Sequence, residues 1–400
     1  MKQILSFALL IASTLFIVSC GDDDETIITT SIKGTEVSEN ITGDVTWTAG
    51  SQITLSDRIA VVAGATLTIE PGVVIYGLAG SGANATALIV AAGATLDAQG
   101  TSSSPIIFTS IADDIEPGMI DSPNLSADLD GLWGGLIVLG NAVISVANDN
   151  ETKNIEGIPA TDPNGIYGGT NNAEGSSTIR YVSCRHGGSN IGEGNEINGI
   201  TFGGVGTGTT ISWIEVVGTQ DDGVEFFGGS VNADNVLVWN NGDDAIDTDE
   251  GYIGTINNGL LINPGDKAFE IDGGEGSDEP AQTITNFSVD LGAANGSIDV
   301  DGDSHVSMTA IYFYGLTEDT GTSYDMQLGT VDTDPSTPTN SFTSIEIENT
   351  FDDDDGNPIS VTAGTYLADV AAVTIVSTPT IGATVSAFDG WTMADARNAY

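Results

Sequence analysis

A phrase of nine residues recurs in the middle of the chain, and its spacing restricts the fold more than any other feature of the sequence. Residues 221–229 read DDGVEFFGG, residues 243–251 read DDAIDTDEG, and residues 266–274 read DKAFEIDGG. Further β-forming segments repeat in phase with these phrases, at residues 211–217, 234–240 and 258–263. Each period of about 23 residues therefore holds two strands, joined by Gly- and Asp-rich turns.

This period excludes two common repeat folds and favours a third. A propeller blade needs four strands, and a leucine-rich repeat of this composition lacks the helices it needs. The period fits one rung of a parallel β-helix, in which equivalent residues of successive rungs stack about 4.8 Å apart. We therefore predict an all-β solenoid, with loops projecting at residues 111–130 and 141–176 and a C-terminal cap that covers its open end.

Alternation within the recurring phrase separates core residues from surface residues. The inward positions form two predicted columns, Val224/Ile246/Phe269 and Phe226/Thr248/Ile271. The outward positions between them form an acidic column, Glu225/Asp247/Glu270, and the turns form another, Asp221/Asp243/Asp266. Asp249 and Asp272 stand beside the first acidic column, with Phe227 at the equivalent place one rung earlier.

Stacked carboxylates destabilise the fold unless their charges are compensated, because like charges about 5 Å apart repel by roughly 0.8 kcal/mol in water and by more at a shielded surface. Solvent and the backbone N–H groups of the turns are one way to compensate the charge, since Asp in a tight turn commonly caps its own backbone. A bound calcium ion is another, because Ca²⁺ takes six to eight oxygen ligands. The candidate ligands are Glu225, Asp243, Asp247, Asp249, Glu270 and Asp272, with Asp299–Asp303 and Asp352–Asp355 as further acidic runs.

Catalysis by these acids is an alternative hypothesis, because paired carboxyls cleave glycosidic bonds when they are suitably spaced. Asp221 and Asp222 are the candidates. An enzyme acting on acidic sugars also needs basic residues, and the repeat region offers only Arg180, Arg185 and Lys267. The sequence therefore favours binding over catalysis. Two histidines, His186 and His305, are too few for a zinc cluster.

The second strand of the repeat is apolar on both faces, which predicts a cover over its outer side. If Val236, Val238, Gly259 and Leu261 point inward, the outward residues are Leu237, Trp239, Leu260 and Ile262. The cover is either the loop at 141–176 or the C-terminal segment. The alternative is an external partner, with a glycan stacked on Trp213, Trp239 and Phe227.

The N-terminus has the pattern of a lipoprotein signal. Lys2 precedes an apolar run from Ile4 to Val18, and small residues lead to Cys20. We predict a signal peptide over residues 1–19, lipidation of Cys20 and an acidic tether over residues 20–40. Cys184 is then left as a buried apolar thiol. With 57 acidic against 8 basic residues and a formal net charge of -49, nucleic acid is excluded as a partner.

Several segments together resemble a family of secreted or lipid-anchored β-helix proteins of Bacteroidota. They are GLWGGLIVLGNA (131–142), YVSCRHGGSN (181–190), NEINGITFGGVGTGTTI (195–211), EVVGTQDDGVEFFGG (215–229) and GDDAIDTDEGY (242–252). The resemblance implies a right-handed parallel β-helix and a cell-surface address, but no established chemistry. The run Asp22–Glu25 likewise resembles the export tag that sends such lipoproteins to the outer face of the outer membrane.

These observations predict a β-helix over residues 41–358 and a terminal strand or cap over residues 359–400. The predicted function is that of a surface lipoprotein, membrane-bound through its lipid only, that binds an extracellular glycan or a protein partner and uses calcium at its acidic columns. The alternatives are a polysaccharide-degrading glycoside hydrolase or lyase, and a structural surface component without a ligand.

Overall fold

The computed structural model describes residues 31–80, 82–192, 195–278, 280–292, 296–301, 304–315, 326–328, 340–352, 358–360 and 373–400. The predicted signal peptide and Cys20 lie outside the described residues, as do parts of the acidic runs at 299–303 and 352–355. Residues Ile32–Tyr400 form one compact unit. None of the helices in the described ranges has the length and apolar character needed to cross a membrane.

The described residues form thirty strands and very little helix. The first ten strands are β1 Thr35–Val37, β2 Val45–Trp47, β3 Gln52–Leu55, β4 Ile59–Val61, β5 Thr66–Ile69, β6 Val74–Gly77, β7 Leu88–Val90, β8 Thr95–Gln99, β9 Ile106–Ser110 and β10 Leu136–Leu139. The next ten are β11 Lys153–Asn154, β12 Ile166–Tyr167, β13 Thr178–Arg185, β14 Ser189–Gly192, β15 Asn195–Ile197, β16 Ile200–Gly203, β17 Thr210–Thr219, β18 Val224–Phe227, β19 Ala233–Asn241 and β20 Ile246–Asp249. The last ten are β21 Thr255–Ile262, β22 Lys267–Ile271, β23 Ala281–Asp290, β24 Gly296–Val300, β25 His305–Tyr314, β26 Met326–Leu328, β27 Ser341–Glu348, β28 Thr350–Asp352, β29 Pro358–Ser360 and β30 Val373–Val376. The helices are the 3-10 turns Gly82–Asn84, Ala147–Asp149, Pro163–Gly165 and Val385–Ala387, and one α-helix, α1 Met393–Ala396.

The chain winds as a right-handed parallel β-helix, as predicted. Fifteen strands form sheet A and nine form sheet B, and all pairings within the two sheets are parallel. Each rung of the central repeat contributes one long strand to sheet A and one short strand to sheet B. The strands of the solenoid run from Thr35 to Val376, which extends the predicted range of 41–358 at both ends.

A bend in each long strand of sheet A gives the rung three sides, whereas the sequence predicted two strands. One residue in the middle of the strand has a left-handed backbone, with φ of 60° at Asn235 and 59° at Asn258. Asn tolerates this conformation, and its side chain bonds to the Asn of the next rung, with Nδ2 of Asn258 2.7 Å from Oδ1 of Asn235. In the N-terminal rungs the two halves of the long strand are separate strands, such as β8 and β9, which both pair with the single strand β13.

Two aromatic residues occupy the same corner in the preceding rungs. Tyr181 and Trp213 have φ of 48° and 54°, a conformation that is costly for bulky side chains. Their rings stack with centroids 5.0 Å apart, and Trp391 meets Tyr181 edge-on at 5.4 Å. The rings therefore project from the corner and form a platform for the C-terminal segment.

The register of the core agrees with the sequence prediction. Val224, Ile246 and Phe269 are paired in successive strands of sheet B and belong to the central core. The outward column Glu225/Asp247/Glu270 is paired in the same register. The thiol of Cys184 is buried, and its Sγ lies 3.2 Å from the carbonyl of Gly199, which confirms the predicted buried cysteine.

Both projecting loops lie back on the solenoid and cover apolar outer faces. Residues of the 141–176 loop, including Ile144, Val146 and Ile158, pack on the outer side of sheet B against Ile137 and Leu139. Residues Ile111 and Ile115 of the other loop pack on Val74, Tyr76 and Ile107 of sheet A. Apolar outer faces thus determine where the loops lie.

The C-terminal segment covers the outer face near Trp239, which confirms one of the two covers that we considered. Phe388 and Trp391 are fully buried against Leu237, Leu260 and Ile262. We call residues 377–400 the C-terminal strap. After β30 has added to sheet A, the strap runs back along the side of the solenoid, although we predicted a cap over its end. The apolar residues on this side, Leu237, Leu260 and Ile262, are buried by the strap.

The strap contacts successive rungs in reverse order. Thr380 donates its backbone N–H to Glu346 Oε2 at 2.7 Å, and Ala383 donates to Ser288 Oγ at 2.9 Å. Near its end, Ala394 donates to Glu215 Oε1 at 3.1 Å. Arg397 then pairs with Asp121 at 2.6 Å, which fastens the strap to the 111–130 loop. The strap therefore connects rungs that are far apart along the axis.

Candidate functional site

A group of acidic residues lies along the turns that lead from sheet A into sheet B. Asp221, Asp243 and Asp266 occupy equivalent places in three successive turns, as predicted, and all three are at least partly exposed. Backbone bonds hold the turns together, since Gly242 donates to the carbonyl of Asp221 at 3.2 Å and Asp266 to that of Asp243 at 2.8 Å. The three carboxyls thus form a row parallel to the axis, which we call the acid row.

The second Asp of each Asp-Asp pair caps a neighbouring rung, although we expected each to cap its own turn. Asp222 Oδ1 accepts the backbone N–H of Asp244 at 2.9 Å. Asp244 Oδ1 in turn accepts the backbone N–H of Lys267 at 2.6 Å. The recurrence of Asp at these two places is therefore explained by hydrogen bonds that join one rung to the next. The side chain of Asp222 is turned toward the protein and is 8% exposed, and its catalytic role stays a prediction.

Below the acid row, three carboxyl groups are buried together. Asp222, Glu225 and Asp247 are 8%, 6% and 8% exposed, and one ligand oxygen from each lies within 4.8 Å of the others. We call these three residues the buried acid cluster. Burial, with the neighbouring acids, raises the pKa of each carboxyl well above its usual range.

Asn198 also belongs to this region, at the place of Asp222 one rung earlier, although the sequence analysis did not single it out. Its side chain is 1% exposed, and its Nδ2 contacts Glu225 Oε2. Its Oδ1 is buried and has no hydrogen-bond partner, and the same is true of Asp247 Oδ1. Two buried oxygen atoms, one of Asp247 in the cluster and one of Asn198 beside it, therefore accept no hydrogen bond.

The six predicted calcium ligands do not form one site. Glu225 and Asp247 belong to the buried acid cluster, whereas Asp243 lies in the acid row. Glu270 faces Asp244 and Asp247 from the next rung, and Asp272 faces Asp301 and Asp249 farther along the solenoid. Burial, together with neighbouring acids, raises the pKa of both Asp249 and Asp272 to about 7. Calcium binding at these residues stays a prediction.

Two further carboxyl groups meet Asp221, one from the 141–176 loop and one from the short strand β15. Glu156, Glu196 and Asp221 place one oxygen each within 4.8 Å of the others. Burial, and then the charges of Asp221 and Glu196, raise the pKa of Glu156 to about 8. Burial and the charges of Glu196 and Asp243 raise the pKa of Asp221 to about 7. The sequence identified Asp221 only, because nothing in it shows that residues 156 and 196 reach this turn.

The lysine beside the row is engaged by an acid. Burial lowers the pKa of Lys267, but the hydrogen bond and charge of Asp266 outweigh this effect and raise it overall. The two groups lie 2.8 Å apart. Lys267 is therefore unsuited to remove a proton from a substrate, as a lyase would require.

A second ion pair fixes the 141–176 loop beside these acids. Lys153 Nζ lies 2.5 Å from Glu250 Oε1, and the Tyr167 hydroxyl donates to Glu250 Oε2 at 2.5 Å. Glu250 is fully buried. The 141–176 loop is thus held against the turn after β20, with Glu156 positioned over the acids.

The three aromatic residues predicted to bind a ligand already have partners within the chain. Phe227 is 6% exposed and packs against Tyr167. Trp213 and Trp239 are half-buried and pack with the strap. Arg180 lies over the Trp213 ring at 4.6 Å. A ligand-stacking role for these rings stays a prediction, and the structure explains their burial without it.

His186 is a buried turn residue. Its backbone is left-handed, with φ of 58°, and Nδ1 lies 2.7 Å from the carbonyl of Leu129. Burial lowers the pKa of His186. The ring thus connects the turn to the 111–130 loop and does not contact the acid row.

A comparison with protein-family models matches residues 39–309 to the pectate-lyase-like β-helix domain. This match covers more than half of the chain. Comparisons with curated proteins and with solved structures give no match.

Proposed function

Because the chain belongs to the pectate-lyase-like β-helix family, which fits a polysaccharide-related role, we propose that it is a polysaccharide-binding protein of the cell surface. The proposed binding site is the acid row, with an extended polymer lying along the turns. The lipid on Cys20 is its proposed anchor to the outer membrane.

One observation carries this proposal: Asp221, Asp243 and Asp266 form a row that advances by one carboxyl per rung. Successive rungs lie about 4.8 Å apart, so the row offers regularly spaced acceptors to a linear polymer. Carboxylates accept strong hydrogen bonds from hydroxyl groups, with which sugars are densely covered. The same negative charge repels acidic sugars, so the proposed ligand is a neutral polysaccharide.

Native gels cast with single polysaccharides test this proposal. We expect a neutral glucan, mannan or xylan to retard the wild-type protein, and polygalacturonate and alginate to leave its mobility unchanged. Asp243→Asn removes one acceptor of the row and should reduce the retardation. Glu36→Gln is the matched control, because Glu36 is an exposed acid far along the chain from the row. Equal retardation of both variants, or retardation by the acidic polymers only, contradicts the proposal.

A second candidate function is glycoside cleavage, which the proximity of Glu156, Glu196 and Asp221 favours. Glu156 has a pKa raised to about 8, so it holds a proton near neutral pH as a general acid must, and Asp221, with a pKa of about 7, is the candidate for the ionised partner carboxylate. Paired carboxyls about 5 Å apart are typical of retaining glycosidases. Under this hypothesis, the retarding polymer yields new reducing ends, and Asp221→Asn abolishes their release. A polymer that is bound but never shortened leaves binding as the function.

The surface location has its own test. Expressed in a bacterium that processes lipoproteins, the wild-type chain should fractionate with the outer membrane and be cleaved by protease added to intact cells. Cys20→Ala removes the acceptor thiol and should release the protein from the membrane, since no lipid then holds it. Membrane retention of Cys20→Ala contradicts the anchor.

A further inference from the structure

We propose that one face of sheet A binds the surface of ice crystals. This face is formed by the first halves of the four successive long strands β21, β23, β25 and β27, before each strand bends. Its outward side chains stand in two columns of four, and we call these eight residues the hydroxyl grid. One column is Thr255, Thr283, Ser307 and Ser341, and the other is Asn257, Thr285, Thr309 and Thr343.

The strand register makes the grid a regular array. The residues between the two columns, such as Ile256, Ile284 and Met308, point into the central core, so the grid residues point outward. Successive rungs lie about 4.8 Å apart, and two residues along a strand span roughly 6.6 Å. Thr is β-branched, so its hydroxyl has few positions available. Thr343 Oγ1 donates to Thr309 Oγ1 at 2.9 Å, which brings hydroxyls of neighbouring rungs together.

The grid is open to solvent and carries no charge. Where the structure describes them, the strap and the two long loops pack on other outer faces, and all eight grid residues are at least partly exposed. The same rungs carry acids on the outer side of sheet B, where Glu270 pairs with Asp299. In a chain with a formal net charge of -49, an exposed face without charge is unusual. It offers no ion pair to a partner, so the expected ligand is neutral.

The chemistry and the dimensions of the grid favour ice as this ligand. A hydroxyl group donates one hydrogen bond and accepts two, so it can take the place of a water molecule in a lattice. One hydrogen bond to liquid water adds little net free energy, because it only replaces another. Binding therefore needs a partner that presents many such groups at the spacing of the grid. The oxygen atoms of an ice surface repeat in two dimensions at distances close to those of the grid, whereas a dissolved polymer repeats in one dimension.

A crystalline polysaccharide is the competing ligand, because its surface also repeats in two dimensions. Sugar rings are commonly bound by aromatic side chains, which offer a large apolar face and a polar edge. The hydroxyl grid contains no aromatic residue. The composition of the face therefore favours ice over a sugar surface.

Partitioning of the purified full chain into slowly growing ice tests the proposal. Such ice excludes most proteins and incorporates those that bind its surface, so we expect the wild-type protein to be enriched in the ice relative to serum albumin. Thr285→Lys and Thr309→Lys each place a long charged side chain in the middle of the grid, and each should lower the incorporated fraction to that of albumin. Thr161→Lys makes the same change at an exposed Thr of the 141–176 loop and should partition as the wild type does.

Four outcomes overturn the proposal. The first three are exclusion of the wild type to the same extent as albumin, equal incorporation of the wild type and both grid variants, and an equal loss in Thr161→Lys. The fourth is a wild type that is excluded from ice but sediments with crystalline cellulose or chitin, which would assign the face to a polysaccharide. Circular dichroism shows whether each variant is folded, and either grid variant alone decides the test. The acid row lies on another side of the rung, so retardation in polysaccharide gels tests the proposed function separately.

Discussion

Truncation of Trp391 should release the C-terminal strap without unfolding the solenoid. The Trp391 ring is fully buried between the strap and the outer face of sheet A, and it meets Tyr181 edge-on. Removal of a buried Trp side chain costs about 3–5 kcal/mol. The same size follows from area, because an aromatic ring of this kind buries about 150–250 Å² at about 25 cal/mol per Å².

Hydrogen exchange followed by mass spectrometry measures this loss directly. At about 1.4 kcal/mol per factor of ten, Trp391→Ala should accelerate exchange in residues 378–400 by roughly 100- to 4,000-fold. Exchange in β19 and β21 should change much less, since each of these strands keeps both neighbours. Trp213 and Trp239 should become more accessible to acrylamide, because they lose part of their cover.

A matched control comes from the same segment. Val385 lies in the strap but is 37% exposed, so Val385→Ala should alter exchange less than tenfold. Unchanged exchange in the strap of Trp391→Ala would refute the reasoning. So would a uniform acceleration across the whole solenoid, because the strap would then be required for the fold and not docked on it.

Three other predictions follow from buried groups. Glu215→Gln should lower the free energy of unfolding by about 3–5 kcal/mol in urea titration, because it leaves the fully buried Arg185 without its counter-charge 3.3 Å away; a loss below 1 kcal/mol would contradict this account. Gly259→Ala should cost about 1–3 kcal/mol by the same measurement, since a Cβ there would lie 1.8 Å from the Phe287 ring, and an unchanged midpoint would show that the ring moves freely. With chelator present, the urea concentration at the unfolding midpoint should decrease as the pH rises from 5 to 8. The folded protein keeps protons on Asp221, Asp249, Asp272 and Glu156, whose pKa values are about 7, 7, 7 and 8, and the unfolded chain loses its protons near pH 4. A midpoint that rises over this interval would be inconsistent with these shifts.

The repeat made the central rungs predictable to the residue. Val224, Ile246 and Phe269 face the core in register, and Glu225, Asp247 and Glu270 face outward, as the spacing required. The reason is that parallel strands in a solenoid pair with equivalent neighbours, so one period fixes the register of the next. The bend at Asn235 and Asn258 was missed, although it changes the step between core residues from two to three, as from Ala233 to Val236.

The candidate site was predictable only in part. The acid row follows from the repeat, since Asp221, Asp243 and Asp266 occupy equivalent turns. Asn198 occupies the place of Asp222 one rung earlier, whereas Glu156 and Glu196 reach these acids from segments that the period does not include. The path of a loop is not determined by a repeat. The 141–176 loop lies where its apolar side chains, such as Ile144 and Ile158, pack against sheet B.

By itself, then, the sequence determined the solenoid, its register and the outward direction of the acids, because stacking of equivalent residues is a local rule that a period of residues expresses directly. Only the tertiary structure decided which acids are buried and which are exposed. Asp247 and Asp243 come from the same rung, yet Asp247 is covered and Asp243 faces solvent. Burial depends on what packs above a residue, and here that cover comes from distant parts of the chain.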